Sequence, residues 1–290
     1  MLAASVLIPT LNPGRQIEDV LSAIYEQRGG AAFEVVIVDS GSCSDDLERM
    51  RRFPAQLHQI RPSEFGHGRT RNLLGQLSRG EALLYLSQDA RPASPDWMAT
   101  LLHALAAPNA GGVYARQVPH ADADPFIRYF LDVTYGPRAT RRRLRCADRV
   151  HIDDIFFSNV SSALRREVWT QVPFRDDVLM SEDQYWAYDA LRAGYEVVYE
   201  PAAQVLHSHN YSLRSLYARN WLSGASLRGL ITDSRPAVLR RGLLYVLREA
   251  AWLIRAGVPE ALPYMLAYEA TRSAGFAFGS AGVFAPINRP

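Results

Sequence analysis

ASVLI at residues 4–8 is a short apolar run rich in β-branched side chains, and FEVVIV at residues 33–38 and ALLYL at residues 82–86 repeat the pattern. Apolar residues with helical spacing separate the runs, as at residues 17–24. Continuous apolar runs that alternate with helices predict parallel strands covered on both faces. We therefore expect an α/β fold with a Rossmann-like, doubly wound open sheet.

The same patterns predict further elements along the chain. They are strands at residues 57–60, 111–116, 155–164 and 196–199, and helices at residues 45–52, 70–78, 125–135 and 181–192. Ser181 is the expected N-cap of the last of these helices. The Arg-rich segment 138–149 is expected to be a mobile surface loop. From Ser212 the chain is predicted to be helical as far as residue 278, with breaks at Pro236 and Pro259.

Composition excludes several classes of protein. The 290 residues carry 32 basic and 30 acidic side chains, a net charge of +2, which is too balanced to indicate a nucleic-acid-binding protein. Every basic side chain other than histidine is arginine, so Schiff-base and P-loop lysine chemistry are excluded. Cys43 and Cys146 predict neither a disulfide framework nor a Cys-rich zinc site. With no signal peptide or membrane-spanning segment expected, a cytoplasmic setting is the default.

Polar residues follow the predicted strands where a ligand is expected. Thr10 and Asn12 come after the first run, residues 39–42 after the second, and residues 88–90 after the third. In an open α/β sheet, ligands bind beyond the carboxyl ends of the strands. No G-x-G-x-x-G follows the first strand and no P-loop motif occurs, so a nucleotide site here is of neither type.

Two groups near these ends have competing interpretations. Asp39 and Asp89 can accept from a nucleobase or ribose or bind a divalent cation, but aspartate also caps turns. The capping of the helix at residue 45 is assigned to Ser44 rather than to Asp39. Arg69 and Arg71 flank a helix N-terminus, where cations oppose the helix dipole; an anionic ligand would explain both, and a solvated capping loop is the alternative.

Two later motifs contain candidate catalytic carboxylates and candidate metal-binding histidines. Glu182 and Asp183 begin a helix, so Asp183 is either a general base or ordinary N-terminal helix charge. His207 and His209 alternate on one face after a strand, which suits either a divalent-metal site with a third ligand or a hydrogen-bonded surface pair.

Five ordered motifs carry a family resemblance. They are VLIPTLNPG (6–14), VIVDSGSCSDD (36–46), FGHGRTRNLLGQLSRGEALLYLSQDARP (65–92), FSNVSSALRREVW (157–169) and MSEDQYWAYDALRAGYEVVYEPAAQVLHSHNYS (180–212). From Ser5 to about Gly224 the chain resembles family 2 glycosyltransferases of the GT-A fold, and within them the rhamnosyltransferase subgroup. The resemblance implies a catalytic domain over residues 1–224 and a C-terminal helical extension over residues 225–290.

The resemblance also implies roles for individual residues. Thr10 and Asp39 would contact the base and ribose of a nucleoside-diphosphate sugar, and Arg71 its base or diphosphate. Asp183 would be the general base of the ED motif. The residues expected to bind the nucleotide are Pro9, Thr10, Asn12, Asp39, Ser40, Gly41, Arg71, Asn72, Gln88 and Asp89.

A divalent cation, Mg²⁺ or Mn²⁺, is implied as cofactor. Asp89 would be its acidic ligand, with His207, favoured over His209, as a further metal or diphosphate contact. The common DxD pattern here reads Gln88-Asp89-Ala90, which leaves a single acid, so the ion would depend on diphosphate oxygens and water.

The implied activity is inverting transfer of L-rhamnose from a dTDP donor to a hydroxyl of a polysaccharide or lipid-linked glycan. The alternatives are a different donor such as a UDP-hexose, a nucleotidyltransferase of similar architecture, and a catalytically inactive sugar-nucleotide-binding protein. Residues 141–145 are expected either to contact an anionic acceptor or membrane, or to be a solvated loop. The C-terminal helices either pack on the catalytic domain, lie on the inner face of a membrane or form a homodimer.

Overall fold

A computed structural model describes residues 2–144, 150–232 and 235–286. The strands are β1 (Ala4–Thr10), β2 (Phe33–Asp39), β3 (Gln56–Gln59), β4 (Ala82–Leu86), β5 (Arg91–Pro92), β6 (Ala110–Val118), β7 (Thr140–Arg142), β8 (Ser161–Arg165) and β9 (Glu196–Leu206). The helices are α1 (Gln16–Tyr25), α2 (Ser44–Arg51), α3 (His67–Leu77), α4 (Trp97–Leu105), α5 (Pro125–Thr134), α6 (Arg166–Gln171), α7 (Glu182–Arg192), α8 (Leu213–Ser226), α9 (Arg235–Arg255) and α10 (Leu262–Ala281).

All of these strands belong to one mixed sheet, in the order β3-β2-β1-β4-β8-β6-β9-β5, with β7 paired to β9. Strands β3, β2, β1 and β4 are mutually parallel. Strand β8 runs antiparallel to both of its neighbours, β4 and β6. The register sets Thr10 opposite Asp39, so the carboxyl ends of β1 and β2 meet at one edge. The predicted doubly wound mixed α/β sheet is confirmed.

Both faces of the sheet are buried, which explains the continuous apolar runs. On β1, Val6 and Ile8 face a core that includes Trp97 of α4, whereas Leu7 faces a core that includes Trp186 of α7. Because successive side chains of a strand point to opposite faces, two covered faces require apolar residues at every position.

The C-terminal helices pack closely on the rest of the chain. Gly275 and Gly279 let α10 approach the backbone of α8 at Tyr217 and Trp221, where a Cβ atom would clash. A separate apolar cluster joins α5, α8, α9 and α10. The predicted domain boundary after residue 224 falls inside α8. Among the described residues, no helix is both long enough and apolar enough to cross a bilayer.

Several local predictions are corrected. Ser181 is the N-cap residue of α7, as predicted, but it adopts a left-handed conformation (φ 66°, ψ 27°) and its side chain makes no capping hydrogen bond. Ser44 is the first residue of α2, not its N-cap. Within the predicted strand at 155–164, only residues from Ser161 onward are extended strand. The final predicted strand, 196–199, continues to Leu206.

The predicted Arg-rich loop is partly a strand, because Thr140–Arg142 pair with β9. Arg141 and Arg143 both form ion pairs with Glu196. These partners lie more than fifty residues away, which is why a local pattern does not reveal the strand. Residues 145–149, and with them Cys146, lie outside the described residues.

Candidate active site

A cleft of about 400 Å³ opens beyond the carboxyl ends of β1 and β4 and beside the start of α7. We call it the strand-end cleft. Seven residues predicted to form the site line it: Pro9, Thr10, Arg71, Gln88, Asp89, Asp183 and His207. These seven residues come from three of the five sequence motifs, as expected for ligands at the edge of an open sheet.

Asp39 is fully buried and does not line the strand-end cleft. Its Oδ1 accepts a hydrogen bond from Thr10 Oγ1 at 3.0 Å, and its Oδ2 accepts from the backbone N–H groups of Gly41 and Ser42 at 3.0 and 2.9 Å. Ser40 Oγ donates to the Thr10 carbonyl at 3.0 Å. The interpretation of Asp39 as a residue that fixes a turn fits these contacts, and through them it orients Thr10.

Asn12 joins the two loops that follow β1 and β2. Its Oδ1 accepts from Cys43 N at 3.1 Å, and its own N–H donates to Ser42 Oγ at 2.7 Å. Neither Asn12 nor the Ser40–Gly41 turn lines the strand-end cleft. They form the support behind Thr10.

Asn72, predicted as a nucleotide contact, lies outside the strand-end cleft. Its Nδ2 donates to the Phe174 carbonyl at 2.8 Å and to Asp176 Oδ1 at 3.1 Å, while its Oδ1 accepts from Phe174 N and Trp169 Nε1. Because Asn72 follows Arg71 directly on α3, it points about 100° around the helix from it. Its polar atoms are used to hold the segment that follows α6.

Arg71 reaches the strand-end cleft and forms a buried ion pair with Glu182. Arg71 Nη1 lies 2.9 Å from Glu182 Oε1, and the two side chains are 9% and 6% exposed. Nη1 also donates to the His67 carbonyl, whereas Nε has no hydrogen-bond partner among the described residues. No sequence motif indicates that Glu182, the first acid of the ED motif, would neutralise this arginine.

Asp183 sits at the N-terminus of α7 beside Glu182. The backbone N–H groups of Asn159 and Gln184 donate to its two carboxylate oxygens at 3.3 and 2.9 Å. Burial and the negative charge of Glu182 raise the pKa of Asp183 to about 7, against the opposing effects of Arg71 and these hydrogen bonds. A carboxylate whose pKa lies near neutrality can accept a proton from a substrate.

Asp89 and two histidines form a cluster that fits a divalent cation. Ligand atoms of Asp89, His207 and His209 lie within 4.8 Å of one another. Asp89 Oδ1 is 3.6 Å from His207 Nε2, and Asp89 Oδ2 is 3.0 Å from His209 Nε2. The prediction favoured His207 over His209; the structure brings both to Asp89.

Gln117 on β6 determines which nitrogen of His207 is available. Gln117 Oε1 lies 2.8 Å from His207 Nδ1, so that Nδ1 carries the proton and Nε2 directs its lone pair towards Asp89. Burial lowers the pKa of His207 to about 4 and keeps the ring neutral, as a metal ligand must be. Sequence reasoning missed Gln117, since no short motif links it to a histidine ninety residues later.

Two further residues on the strand-end cleft were also missed. Arg219 of α8 lies over the ring of Tyr211 at 5.6 Å, and no ion pair with it is found among the described residues. Asn159 is buried, and its Nδ2 has no hydrogen-bond partner in the described part of the chain. With Arg71 Nε, these groups offer donors to oxygen atoms of a ligand.

A second cavity of about 280 Å³ meets the strand-end cleft at Asp183, His207, His209 and Arg219, which line both. We call it the aromatic chamber. Its wall includes aromatic side chains from α5, α9 and α10 as well as from the loop before β8. Asp183 therefore faces two spaces, one polar and one largely aromatic.

Comparison with known proteins agrees with this arrangement. The profile of the family described as "Glycosyl transferase family 2" matches residues 5–171. This chain belongs to glycosyl transferase family 2. It is 30% identical over 228 residues to the O-antigen chain rhamnosyltransferase RfbN of Salmonella typhimurium, covering 76% of this chain and 71% of that protein. The O-antigen chain rhamnosyltransferase WbaN of Salmonella anatum is 28% identical over 226 residues, covering 77% and 72%.

A solved structure supports the fold. The mannosyltransferase PcManGT from Pyrobaculum calidifontis, in complex with GDP-Man and Mn²⁺, superposes with a TM-score of 0.64 at 21% identity, covering 97% of this chain and 88% of that one. The family 2 glycosyltransferase is thus a rhamnosyltransferase-like enzyme with the GT-A fold that the sequence motifs implied.

Proposed function

We propose that this family 2 enzyme transfers L-rhamnose from dTDP-rhamnose to a glycan hydroxyl with inversion at the anomeric carbon. The observation that carries the proposal is the position of Asp183. It lines both the strand-end cleft, opposite Asp89 and the two histidines, and the aromatic chamber. A base between two substrate spaces is the arrangement that a single displacement requires.

The nucleotide is assigned to the strand-end cleft, with Pro9, Thr10 and Gln88 at the base and ribose. The unpartnered Nε of Arg71 and the guanidinium of Arg219 face the diphosphate. Since Glu182 already neutralises Arg71, Arg219 is the cation with more charge to offer to the leaving group.

Asp89, His207 and His209 would hold a divalent cation, because their ligand atoms converge and His207 presents a free lone pair. When bound, Mg²⁺ or Mn²⁺ supplies positive charge that stabilises the departing diphosphate. The Gln88-Asp89-Ala90 segment supplies only one acidic ligand. Two imidazoles would take the place of a second carboxylate, so the cation would have three protein ligands.

The transfer step balances without any additional reactant. The acceptor oxygen forms a bond to the anomeric carbon as the bond from that carbon to the diphosphate oxygen breaks, and the diphosphate leaves with the electron pair. The hydroxyl proton passes to Asp183. The N–H groups of Asn159 and Gln184 hold its carboxylate in place during the step.

The donor assignment is supported by the likeness to RfbN and WbaN, and its test is a thermal-shift panel. dTDP, UDP and GDP and their sugars are added with and without Mg²⁺ or Mn²⁺. Stabilisation grows with the logarithm of ligand concentration over Kd, so the preferred nucleotide raises Tm most. A larger shift with a UDP-hexose would reject dTDP-rhamnose, and binding without transfer or donor hydrolysis would indicate an inactive sugar-nucleotide-binding protein.

A lipid-linked acceptor would bring the enzyme to a membrane, and α9 offers a surface for it. Leu243, Leu247 and Ile254 are more than half exposed and repeat at helical spacing. Arg248 and Arg255 flank them, which favours an anionic lipid surface over a homodimer. Flotation with anionic liposomes tests the contact; absence of flotation together with a dimer in light scattering would assign the surface to a second copy.

A further inference from the structure

We propose that the aromatic chamber is the acceptor site, that it takes a neutral hexose or 6-deoxyhexose ring of a glycan, and that helices α5, α9 and α10 supply the residues that select this ring. The inference rests on the proposed transfer, because it assigns the chamber to the alcohol that attacks the donor. It also gives the C-terminal helices a role in specificity.

The aromatic chamber adjoins the strand-end cleft. Asp183, His207 and Arg219 line both cavities, so the chamber opens directly onto the proposed donor site. A sugar ring in the chamber would therefore present a hydroxyl to Asp183 from the side opposite the nucleotide. Near-attack placement of two substrates about one base is worth several orders of magnitude in rate.

The wall of the chamber is largely aromatic. Eight phenylalanine and tyrosine residues line it: Phe126, Phe130, Tyr135, Phe156, Phe157, Tyr211, Tyr245 and Tyr268. The rings of Phe126 on α5 and Tyr268 on α10 lie 4.9 Å apart and are stacked, so the wall spans two parts of the chain. Aromatic faces bind the C–H face of a pyranose, which carries partial positive charge, and leave its hydroxyls at the edge.

The polar end of the chamber carries two opposite charges, those of Glu269 and Arg272. Glu269 Oε2 lies 2.5 Å from Arg272 Nη2, and the Arg272 guanidinium lies 4.2 Å from the centre of the Tyr245 ring. The pair is electrically balanced, so it can exchange hydrogen bonds with hydroxyls but does not offer a free cation to an acidic sugar. Glu249, whose burial raises its pKa to about 8, stays protonated at pH 7 and does not disturb the balance. Arg219 lies at the junction, where the donor diphosphate is proposed.

The test measures glycoside binding to the full chain by saturation-transfer NMR titration. The probes are octyl glycosides of glucose, galactose, mannose and rhamnose, with octyl glucuronide as the anionic probe. We expect at least one neutral glycoside to bind more tightly than the glucuronide. Phe130→Ala should weaken that binding about threefold to tenfold, the effect of losing one aromatic contact.

A second variant keeps the test independent of one side chain. Glu269→Gln combined with Arg272→Met removes both charges at once, so that neither is left unpaired in the interior. We expect it to weaken the neutral glycosides by a similar factor. Phe278→Ala is the matched control, because Phe278 on α10 is 37% exposed against 38% for Phe130 and does not line the chamber.

Three outcomes would overturn the inference: no neutral glycoside binds, the glucuronide binds as tightly, or both chamber variants bind like Phe278→Ala. The shift in Tm with dTDP is recorded on the same samples. A chain that binds neutral glycosides through Phe130 but gains no stability from any nucleotide would contradict the proposed donor, yet support the chamber as a sugar site.

Discussion

The strand-end cleft and the aromatic chamber share Asp183, yet they are built in different ways. The cleft is assembled from short motifs at the ends of adjacent strands, and local loops support its polar groups, as when Asp39, held by Gly41 and Ser42, accepts a hydrogen bond from Thr10 behind the cleft. The chamber is assembled from helices that lie far apart in sequence, from residue 126 to residue 272. A site of the first kind is visible in a sequence, and a site of the second kind is not.

Removing the base that the two spaces share should have the largest effect. Asp183→Asn keeps the shape and one of the two hydrogen-bonded oxygens but cannot accept the proton. We expect kcat to fall about 10²–10⁴-fold, with the affinity for dTDP near normal. Transfer assays and a dTDP titration on the same preparation check this. Full activity in Asp183→Asn would remove this residue from the role of base, whatever the two cavities bind.

The next prediction concerns the cleft alone. Gln117→Leu removes the acceptor for His207 Nδ1, so the imidazole loses its fixed orientation. Loss of such a partner weakens metal affinity about 10–100-fold. The concentration of Mn²⁺ required for half-maximal activity should rise by this factor, while glycoside binding in the chamber is measured in parallel.

Gln117→Glu is the control for that change, because it restores an acceptor for Nδ1. It should recover a large part of the Mn²⁺ affinity that Gln117→Leu loses. If both variants need the same Mn²⁺ concentration as the wild type, His207 is not oriented by Gln117 or does not bind the ion.

The ends of β1, β2 and β4 lie within two residues of their predicted positions, because the alternation of apolar runs and polar strand termini is a local property. Seven of the predicted site residues lie on the strand-end cleft. Asn72 lies outside the cleft, since a one-residue step on α3 carries it away from Arg71 to contacts with Trp169 and Phe174. The ion pair of Glu182 with Arg71 was not predicted, because Arg71 is more than a hundred residues earlier in the sequence. Contacts of that separation are set by helix packing, which no motif records.

A smaller effect is expected on the pH profile. Asp183 must be deprotonated to act, and its pKa is raised to about 7, so kcat should fall about tenfold per pH unit below neutrality. Glu182→Gln removes a negative charge that raises this pKa and frees Arg71 to lower it further. The acid limb should therefore move to lower pH. A limb that stays in place, or moves to higher pH, would mean that another group controls it.

Glu249, on the chamber side of the molecule, and Glu182, at the cleft, should affect the free energy of unfolding differently. Glu249 on α9 is fully buried, and its carboxylate oxygens have no hydrogen-bond partner in the described part of the chain. Burial and the charge of Glu269 raise its pKa from 4.5 to about 8. A carboxyl group whose pKa is higher in the folded state binds more protons folded than unfolded. Its contribution to the free energy of unfolding is therefore complete below pH 4.5 and is lost as the pH rises towards 8.

Glu249→Gln replaces the protonated acid with a neutral group of the same shape and removes this loss. We expect the variant to be more stable than the wild type by about 1–3 kcal/mol at pH 7 and nearly equal to it at pH 4.5. Urea unfolding at the two values of pH measures the difference. The cleft variant Glu182→Gln should not show it, because Glu182 is paired with Arg71 and the change leaves a buried cation unpartnered. Equal pH dependence in Glu249→Gln and wild type would show that Glu249 is ionised in the folded protein.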